Sequence, residues 1–131
     1  MYVLDTNICI YIVKKKPISV LQKFEHLEVG SVGMSLVTYG ELEYGALRSN
    51  NSQRALDILD ELVSYIPVLS MEQDVAKEYA LIRADLAAKG TPIGNNDLWI
   101  AAHVRYLGHT LVTNNTKEFE RVENLALEIW V

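Results

Sequence analysis

Three acidic side chains stand next to apolar stretches of this sequence, at Asp5, Glu41 and Asp97. Several carboxylates gathered in one cleft repel one another unless they are protonated or neutralised by a cation. A cluster that offers only oxygen ligands, without histidine, suits Mg²⁺ or Mn²⁺ rather than zinc. If the fold brings the three acids together, the sequence therefore predicts a divalent-metal site.

Each of these acids also has an explanation that involves no chemistry. Asp5 precedes an apolar helical run and can cap that helix. Asp97 lies in the first turn of another helix, where the helix dipole favours an acid by roughly 0.3 to 1 kcal/mol. Thr38 and Glu41 have the spacing of a capping box. The sequence alone leaves both interpretations open.

Two further features bear on the choice. Asn115 and Glu118 follow an apolar run and have the spacing of a cap with its reciprocal glutamate. Gly40 and Gly45 flank Glu41 in a predicted helix, where a glycine costs about 1 kcal/mol relative to alanine. That cost predicts a close approach of another group near Glu41, which favours a functional role for this acid.

The elements that position these side chains alternate between strands and helices. The run Tyr2–Leu4 is apolar without alternation, as in a strand covered on both faces, and it ends at Asp5. Alternation through the chain predicts an α/β domain with a mainly parallel sheet. Further strand segments are predicted at Met34–Val37, Ile66–Leu69, Thr110–Thr113 and Leu127–Val131, and helices at Ile8–Val13, Ile18–Leu27, Thr38–Ser49, Gln53–Ser64, Met71–Lys89 and Asn96–Leu107. Because the carboxyl ends of parallel strands share one edge, the polar groups after them should converge there.

Length and composition fit one domain spanning residues 1–131, of which half are hydrophobic and 22% charged. A net charge of −5 argues against broad adhesion to nucleic acid, although it permits local recognition. The single cysteine, Cys9, is expected in the core of a protein from a reducing cytoplasm. No apolar stretch approaches the ~20 residues of a membrane span, and no signal peptide is recognisable. Packing or surface roles are expected for the three histidines.

Four segments stand out by their order and spacing, which are more specific than any one of them alone. They are Leu4-Asp5-Thr6-Asn7, Glu41-Leu42-Glu43-Tyr44-Gly45, Gly94-Asn95-Asn96-Asp97-Leu98-Trp99-Ile100-Ala101-Ala102, and Val112-Thr113-Asn114-Asn115 with Glu118-Phe119. Through these segments the sequence resembles a PIN-domain ribonuclease of the VapC toxin type, and the resemblance spans the whole chain. It implies a three-layer α/β/α sandwich, a homodimer, and an antitoxin that blocks the site and alone contacts DNA.

The same resemblance implies roles for individual residues. Asp5, Glu41 and Asp97 would bind Mg²⁺ or Mn²⁺, and Thr6 would be a polar neighbour of the metal. Asn96 and Thr113 lie in the matching motifs and are predicted to support the site. Many relatives have an aspartate where this chain has Asn115, so the fourth contact is either the amide of Asn115 or the carboxylate of Glu118. That departure weakens the expectation of a second tightly bound ion.

The predicted reaction is hydrolysis of an RNA phosphodiester by metal-activated water. Because water is the nucleophile, the reaction does not need the 2′-hydroxyl, and specificity must come from binding, for example to an exposed loop of a structured RNA such as tRNA. One alternative is a small-molecule phosphohydrolase with Asp5 as nucleophile, although such enzymes usually have a second aspartate where Asn7 stands. The other is a non-catalytic interaction module in which the acids are only caps.

Overall fold

The computed structural model describes residues 1–28 and 30–131. Five strands form one sheet in the order β3-β2-β1-β4-β5, and every pairing between neighbours is parallel. The strands are β1 Tyr2–Leu4, β2 Val32–Ser35, β3 Val68–Leu69, β4 Thr110–Val112 and β5 Ala126–Glu128. The helices are α1 Thr6–Lys14, α2 Ile18–Glu25, α3 Leu36–Leu47, α4 Ser52–Tyr65, α5 Val75–Ala88, α6 Asn95–Leu107 and α7 Thr116–Phe119.

Helices cover both faces of the sheet because successive strand residues point to opposite sides. Val3 of β1 packs in a core with residues of α5 and α6. The next residue, Leu4, packs in a second core with residues of α1 and α4. Both side chains are almost completely buried, and burial of one such side chain stabilises the fold by about 1.5 to 3 kcal/mol. The predicted α/β/α sandwich with a parallel sheet is therefore confirmed.

The capping box predicted at Thr38 and Glu41 is wrong. Helix α3 begins at Leu36, and its N-cap is Ser35, whose hydroxyl accepts a hydrogen bond from the backbone N–H of Val37 at 3.2 Å. Thr38 is a buried residue inside the helix. Glu41 is therefore free of any capping role at this helix start.

Other boundaries differ by a few residues from the predicted ones. Helix α5 begins at Val75 rather than Met71. A short helix, α7, follows Asn115, although the Asn115 side chain makes no capping hydrogen bond. Strand β5 ends at Glu128. Beyond it, Trp130 is buried and packs edge-to-face on Tyr2 with ring centroids 5.8 Å apart. Strand β3 lies at the edge of the sheet, as the proline before it predicts.

Cys9 is buried in the second core, together with Leu4, as expected. Burial raises the pKa of its thiol. Within residues 1–28 and 30–131, none of the helices has the length and apolar character needed to cross a membrane.

Candidate active site

The strand order creates a crevice between the carboxyl ends of β1 and β4. From the central β1 the chain builds outward through β2 and β3, then crosses to β4 and β5 on the other side. Ligands of open α/β sheets bind at such a switch point. Asp5 directly follows β1 and Thr113 directly follows β4, so the sheet topology itself brings these two side chains together.

Asp5 has two roles that the sequence presented as alternatives. One carboxylate oxygen accepts a hydrogen bond from the backbone N–H of Ile8 at 3.0 Å and so caps α1. The other oxygen accepts a hydrogen bond from the hydroxyl of Thr113 in the crevice. Asp5 is only 4% exposed, and this burial raises its pKa despite the opposing effect of both hydrogen bonds. The helix cap thus holds a desolvated carboxylate at the switch point.

Glu41 reaches the same region from α3. The hydroxyl of Thr6, the first residue of α1, donates a hydrogen bond to Glu41 Oε1 at 2.7 Å. The charge of Glu41 contributes to the raised pKa of both Asp5 and Asp97. Glu41 therefore belongs electrostatically to the group of acids at the switch point.

Asp97, Asn115 and Glu118 form a third group. The amide nitrogen of Asn115 lies between the two carboxylates, 3.3 Å from Asp97 Oδ2 and 3.1 Å from Glu118 Oε2. The backbone N–H of Gly94 donates to the other oxygen of Glu118 at 3.0 Å. In this arrangement Asn115 is a donor that bridges two acids, and Glu118 is fastened to the loop before α6.

The electrostatics of this group show an excess of negative charge. The pKa of Asp97 is raised from 3.8 to about 7. The causes are burial, a hydrogen bond with Glu118, and the charges of Glu118, Glu41 and Asp5. Hydrogen bonds from Asp97, from Gly94 and from Asn115 lower the pKa of Glu118. The proton retained by this pair therefore resides on Asp97. A bound cation would relieve the repulsion that keeps that proton in place.

These side chains fit a hydrated magnesium ion better than a fully ligated one. In the part of the chain that the structure describes, no three His, Cys, Asp or Glu side chains are arranged to ligate one ion. Mg²⁺ usually keeps several water ligands and is bound through one or two carboxylates. The all-oxygen donors and the excess negative charge match that mode of binding.

Two sequence-based expectations find no support in the geometry. Asn96 is exposed on α6, and its side chain makes no hydrogen bond with any described residue. Gly40 and Gly45 are exposed, and a β-carbon added at either would meet no described atom within 4 Å. Glycine in a helix is destabilising relative to alanine, which suggested that another group approaches Glu41 closely at these positions. No such approach is seen among residues 1–28 and 30–131.

His103 has a packing role, as the sequence predicted, but its hydrogen bond to the residue that caps α3 was not foreseen. This side chain is 1% exposed, and its Nδ1 accepts a hydrogen bond from Ser35 Oγ at 2.8 Å while Nε2 donates to the carbonyl of Ser70 at 3.1 Å. Burial lowers the pKa of His103, in keeping with this neutral role. The only sequence signal was a histidine within the apolar run of α6. Its effect is to fix the residue that caps α3, the helix carrying Glu41.

Replacing Thr113 by valine should destabilise the protein by about 1 to 3 kcal/mol, because a buried carboxylate loses its donor without losing its burial. The pKa of Asp5 should rise further for the same reason. Urea unfolding at pH 7 measures the first effect. Thr110→Val in β4, the strand that Thr113 follows, is the matched control, since the Thr110 side chain makes no hydrogen bond with the described residues. Equal stability of the two variants would contradict a structural role for the Thr113 to Asp5 bond.

Known proteins are similar to this chain in both fold and sequence. Residues 2–125 match the PIN domain family, which gives the general class. The chain is 46% identical over 129 residues to the tRNA(fMet)-specific endonuclease VapC of Shigella flexneri, covering 98% of this chain and 97% of that one. It is 40% identical over 130 residues to ribonuclease VapC2 of Haemophilus influenzae, covering 99% and 98%. The DNA-bound VapBC structure from Salmonella typhimurium has a TM-score of 0.92 at 38% identity, covering 99% and 98%.

The chain therefore belongs to the VapC ribonucleases of the PIN-domain family. Identity of this degree over almost the full length of both chains identifies the protein as a ribonuclease. The two alternatives left open by the sequence, a small-molecule phosphohydrolase and a non-catalytic interaction module, are set aside on the same grounds.

Proposed function

We propose that this protein is the toxin of a toxin–antitoxin pair and cleaves RNA with Mg²⁺ or Mn²⁺ held near Asp5, Glu41 and Asp97, in part through the water ligands of the ion. The observation that supports the metal most directly is the pKa of Asp97, raised to about 7 in part by the charges of Glu118, Glu41 and Asp5. Such a group of acids is destabilised by its own charge until a cation binds. A cation held there would polarise the phosphate and would lower the pKa of a water molecule for in-line attack.

The contribution of the chain itself is to hold these oxygens in place before substrate arrives. Asp5 is fixed by Thr113 and by the N-terminus of α1, both through hydrogen bonds to its carboxylate. Glu41 is fixed by the hydroxyl of Thr6. Preorganised charges of this kind need no reorganisation during the reaction, which is how a site stabilises a transition state.

The substrate we propose is a structured RNA, with a tRNA as the first candidate. The relative from Shigella flexneri is named a tRNA(fMet)-specific endonuclease, so tRNA(fMet) is the first RNA to test. Single-stranded loops expose unstacked bases that a protein can recognise, whereas a double helix hides them. Cleavage is accordingly expected in a loop.

The partner we propose is a VapB-type antitoxin. Solved relatives include VapBC from Rickettsia felis and from Salmonella typhimurium, both bound to DNA. An acidic site of this kind attracts an arginine, which pairs with carboxylates in a bidentate manner. We propose that the antitoxin silences the site in this way in the cytoplasm, that DNA is contacted only through the antitoxin, and that the toxin forms a homodimer.

Cleavage of tRNA by the purified protein is expected to need Mg²⁺ or Mn²⁺ and to fall at least about a hundredfold with excess chelator. A Lewis acid contributes several kcal/mol to transition-state stabilisation, and each 1.36 kcal/mol is tenfold in rate. The measurement is gel analysis of tRNA(fMet) with and without cation. An Asp5→Ala variant purified identically controls for contaminating nuclease. The metal mechanism would be contradicted if the wild type still cleaved tRNA in chelator while the Asp5→Ala variant did not.

A further inference from the structure

A small cavity is lined by residues of α5, of α6 and of the loop between these two helices. It has a volume of about 260 Å³. Ligand pockets for drug-sized molecules usually begin near 300 Å³, so this cavity has room for about one nucleotide and not for a longer ligand. The residues around it include Arg83, Leu86, Pro92, Ile93, Asn95 and Leu98.

The polar side of this cavity is organised by the hydroxyl of Tyr79. That hydroxyl accepts a hydrogen bond from Arg83 Nη1 at 2.6 Å and donates one to Asn95 Oδ1 at 3.0 Å. The ring of Tyr79 is itself stacked on Trp99, with centroids 3.9 Å apart and an angle of 16° between the planes. The stacked pair thus holds a guanidinium and an amide next to each other at the cavity.

The guanidinium of Arg83 is available to a ligand. Within the described ranges it has no carboxylate within 4.0 Å and uses one of its five N–H donors. Arg105 on α6 differs, because Glu78 accepts from its Nε at 2.7 Å. An arginine that is held in place without a carboxylate partner is suited to an anion such as a phosphate.

The cavity and the acidic site share the loop between α5 and α6. Pro92 and Ile93 line the cavity. On the other side of the loop, the N–H of Gly94 bonds Glu118 and the carbonyl of Pro92 accepts from Arg121 Nη1 at 3.0 Å. A strand of RNA crossing this loop would therefore meet both places.

We infer that this cavity binds one nucleotide of the RNA substrate next to the cleaved bond, with Arg83 on its phosphate. This inference rests on the proposed function. Acids at the switch point repel the backbone of RNA, and a metal ion there neutralises only the reacting phosphate. Arg83 supplies positive charge for the neighbouring phosphate in a chain whose net charge is −5. Ile93 and Leu98 offer apolar walls for the base, and the amide of Asn95 is placed to hydrogen-bond it.

The first test separates binding from chemistry in the intact protein. Arg83→Ala should raise the KM for tRNA about tenfold and change kcat less than twofold, because the contact is made equally in the bound substrate and in the transition state. Arg83→Lys should recover part of the loss. Arg54→Ala is the matched control, since Arg54 is an exposed arginine on α4 away from this cavity and should leave both constants unchanged.

The second test does not depend on catalysis. Guanosine and adenosine 5′-monophosphate, added in the presence of chelator, should change the fluorescence of Trp99 in a saturable way. Its stacking partner Tyr79 is hydrogen-bonded to Arg83 and Asn95, which line the cavity. Trp99→Phe supplies the background from Trp130. Arg83→Ala should weaken this binding at least tenfold, and inorganic phosphate alone should bind more weakly than either nucleotide.

The outcomes distinguish this inference from the proposed function. A protein that cleaves RNA with Mg²⁺ yet shows no saturable nucleotide signal, or the same KM in Arg83→Ala and Arg54→Ala, would overturn the nucleotide site alone. Nucleotide binding that depends on Arg83 in a protein without nuclease activity would overturn the proposed reaction alone. If Arg83→Ala weakens a bound antitoxin but leaves tRNA and nucleotides unaffected, the cavity belongs to the protein partner and the inference is wrong.

Discussion

Asp97→Asn is expected to stabilise the metal-free protein at pH 7 and to abolish the stabilisation that Mg²⁺ or Mn²⁺ gives the wild type. The pKa of Asp97 is raised from 3.8 to about 7 in the folded protein, so the folded state holds this proton more tightly than the unfolded state. The stability that the proton provides is complete below pH of about 4 and is lost as the pH rises towards 7. Asparagine resembles the protonated acid and avoids that loss.

The size of this effect follows from the pKa shift of Asp97, reduced first for its partial exposure and then for the lost interaction with the helix dipole. Each pKa unit corresponds to about 1.4 kcal/mol, but Asp97 is partly exposed and solvent screens its interactions, so we expect about 1 to 2 kcal/mol. Loss of the favourable interaction with the α6 dipole subtracts roughly 0.3 to 1 kcal/mol. The net gain at pH 7 should therefore be about 1 kcal/mol and should vanish near pH 4.

Melting curves of the wild type and Asp97→Asn, each at pH 4 and pH 7, with chelator and with cation, measure all of these quantities. A ligand stabilises only the state that binds it, so the cation should raise the melting temperature of the wild type and leave the variant nearly unchanged. Asp85→Asn is a useful control, because Asp85 is an acid on α5 paired with Lys89 at 2.9 Å. A less stable Asp97→Asn variant that still gains fully from the cation would show that Asp97 serves only the helix dipole.

Glu41→Gln is expected to lower RNA cleavage at least about a hundredfold while leaving stability nearly unchanged. Glutamine retains the oxygen that accepts the hydrogen bond from Thr6, but it removes a charge from the proposed metal site. Changes in groups that merely support metal ligands cost 10 to 100-fold in affinity or activity, so loss of a ligand should cost more.

The readouts are initial cleavage rates at saturating cation and a urea unfolding curve. Glu43→Gln on the same helix is the matched control, since Glu43 accepts a hydrogen bond from Tyr39 and is not among the acids of the crevice. Cleavage by Glu41→Gln at the wild-type rate would remove Glu41 from the metal site.

The sequence was sufficient to place Asp5 at the edge of the sheet where the candidate site lies. Ligands of parallel α/β sheets bind at the carboxyl ends of the strands, and Asp5 follows the first predicted strand. Thr113 was predicted as a supporting residue only through the family resemblance. Its side chain lies 108 positions from Asp5 in the sequence and meets it only in the folded sheet.

The start of α3 could not be predicted from local sequence. Thr38 and Glu41 satisfy the capping-box pattern, and Ser35 is an equally ordinary N-cap residue. The choice of Ser35 is reinforced by His103, which lies 68 positions away and binds the same hydroxyl. A contact between residues so far apart in the sequence cannot be inferred from local helix propensities.

Asn115 shows a different limit. Sequence reasoning left Asn115 and Glu118 as alternatives for a fourth ligand, whereas in the structure the amide of Asn115 donates to Glu118 and to Asp97 at once. That role depends on the approach of α6 to α7, and the geometry of two helices is not readable from either helix alone.

The position of β4 beside β1 has a consequence for the protein during its synthesis. The candidate site combines Asp5 with residues as late as Glu118, and the Asp5 to Thr113 contact forms only when β4 pairs with β1 through Thr110 to Val112. A nascent chain on the ribosome contains Asp5 and Glu41 long before it contains Thr113, and domains fold as units during translation. The translating cell is thus exposed to a complete cleavage site only after nearly all of this sequence has been made, which gives a co-expressed inhibitor time to be present first.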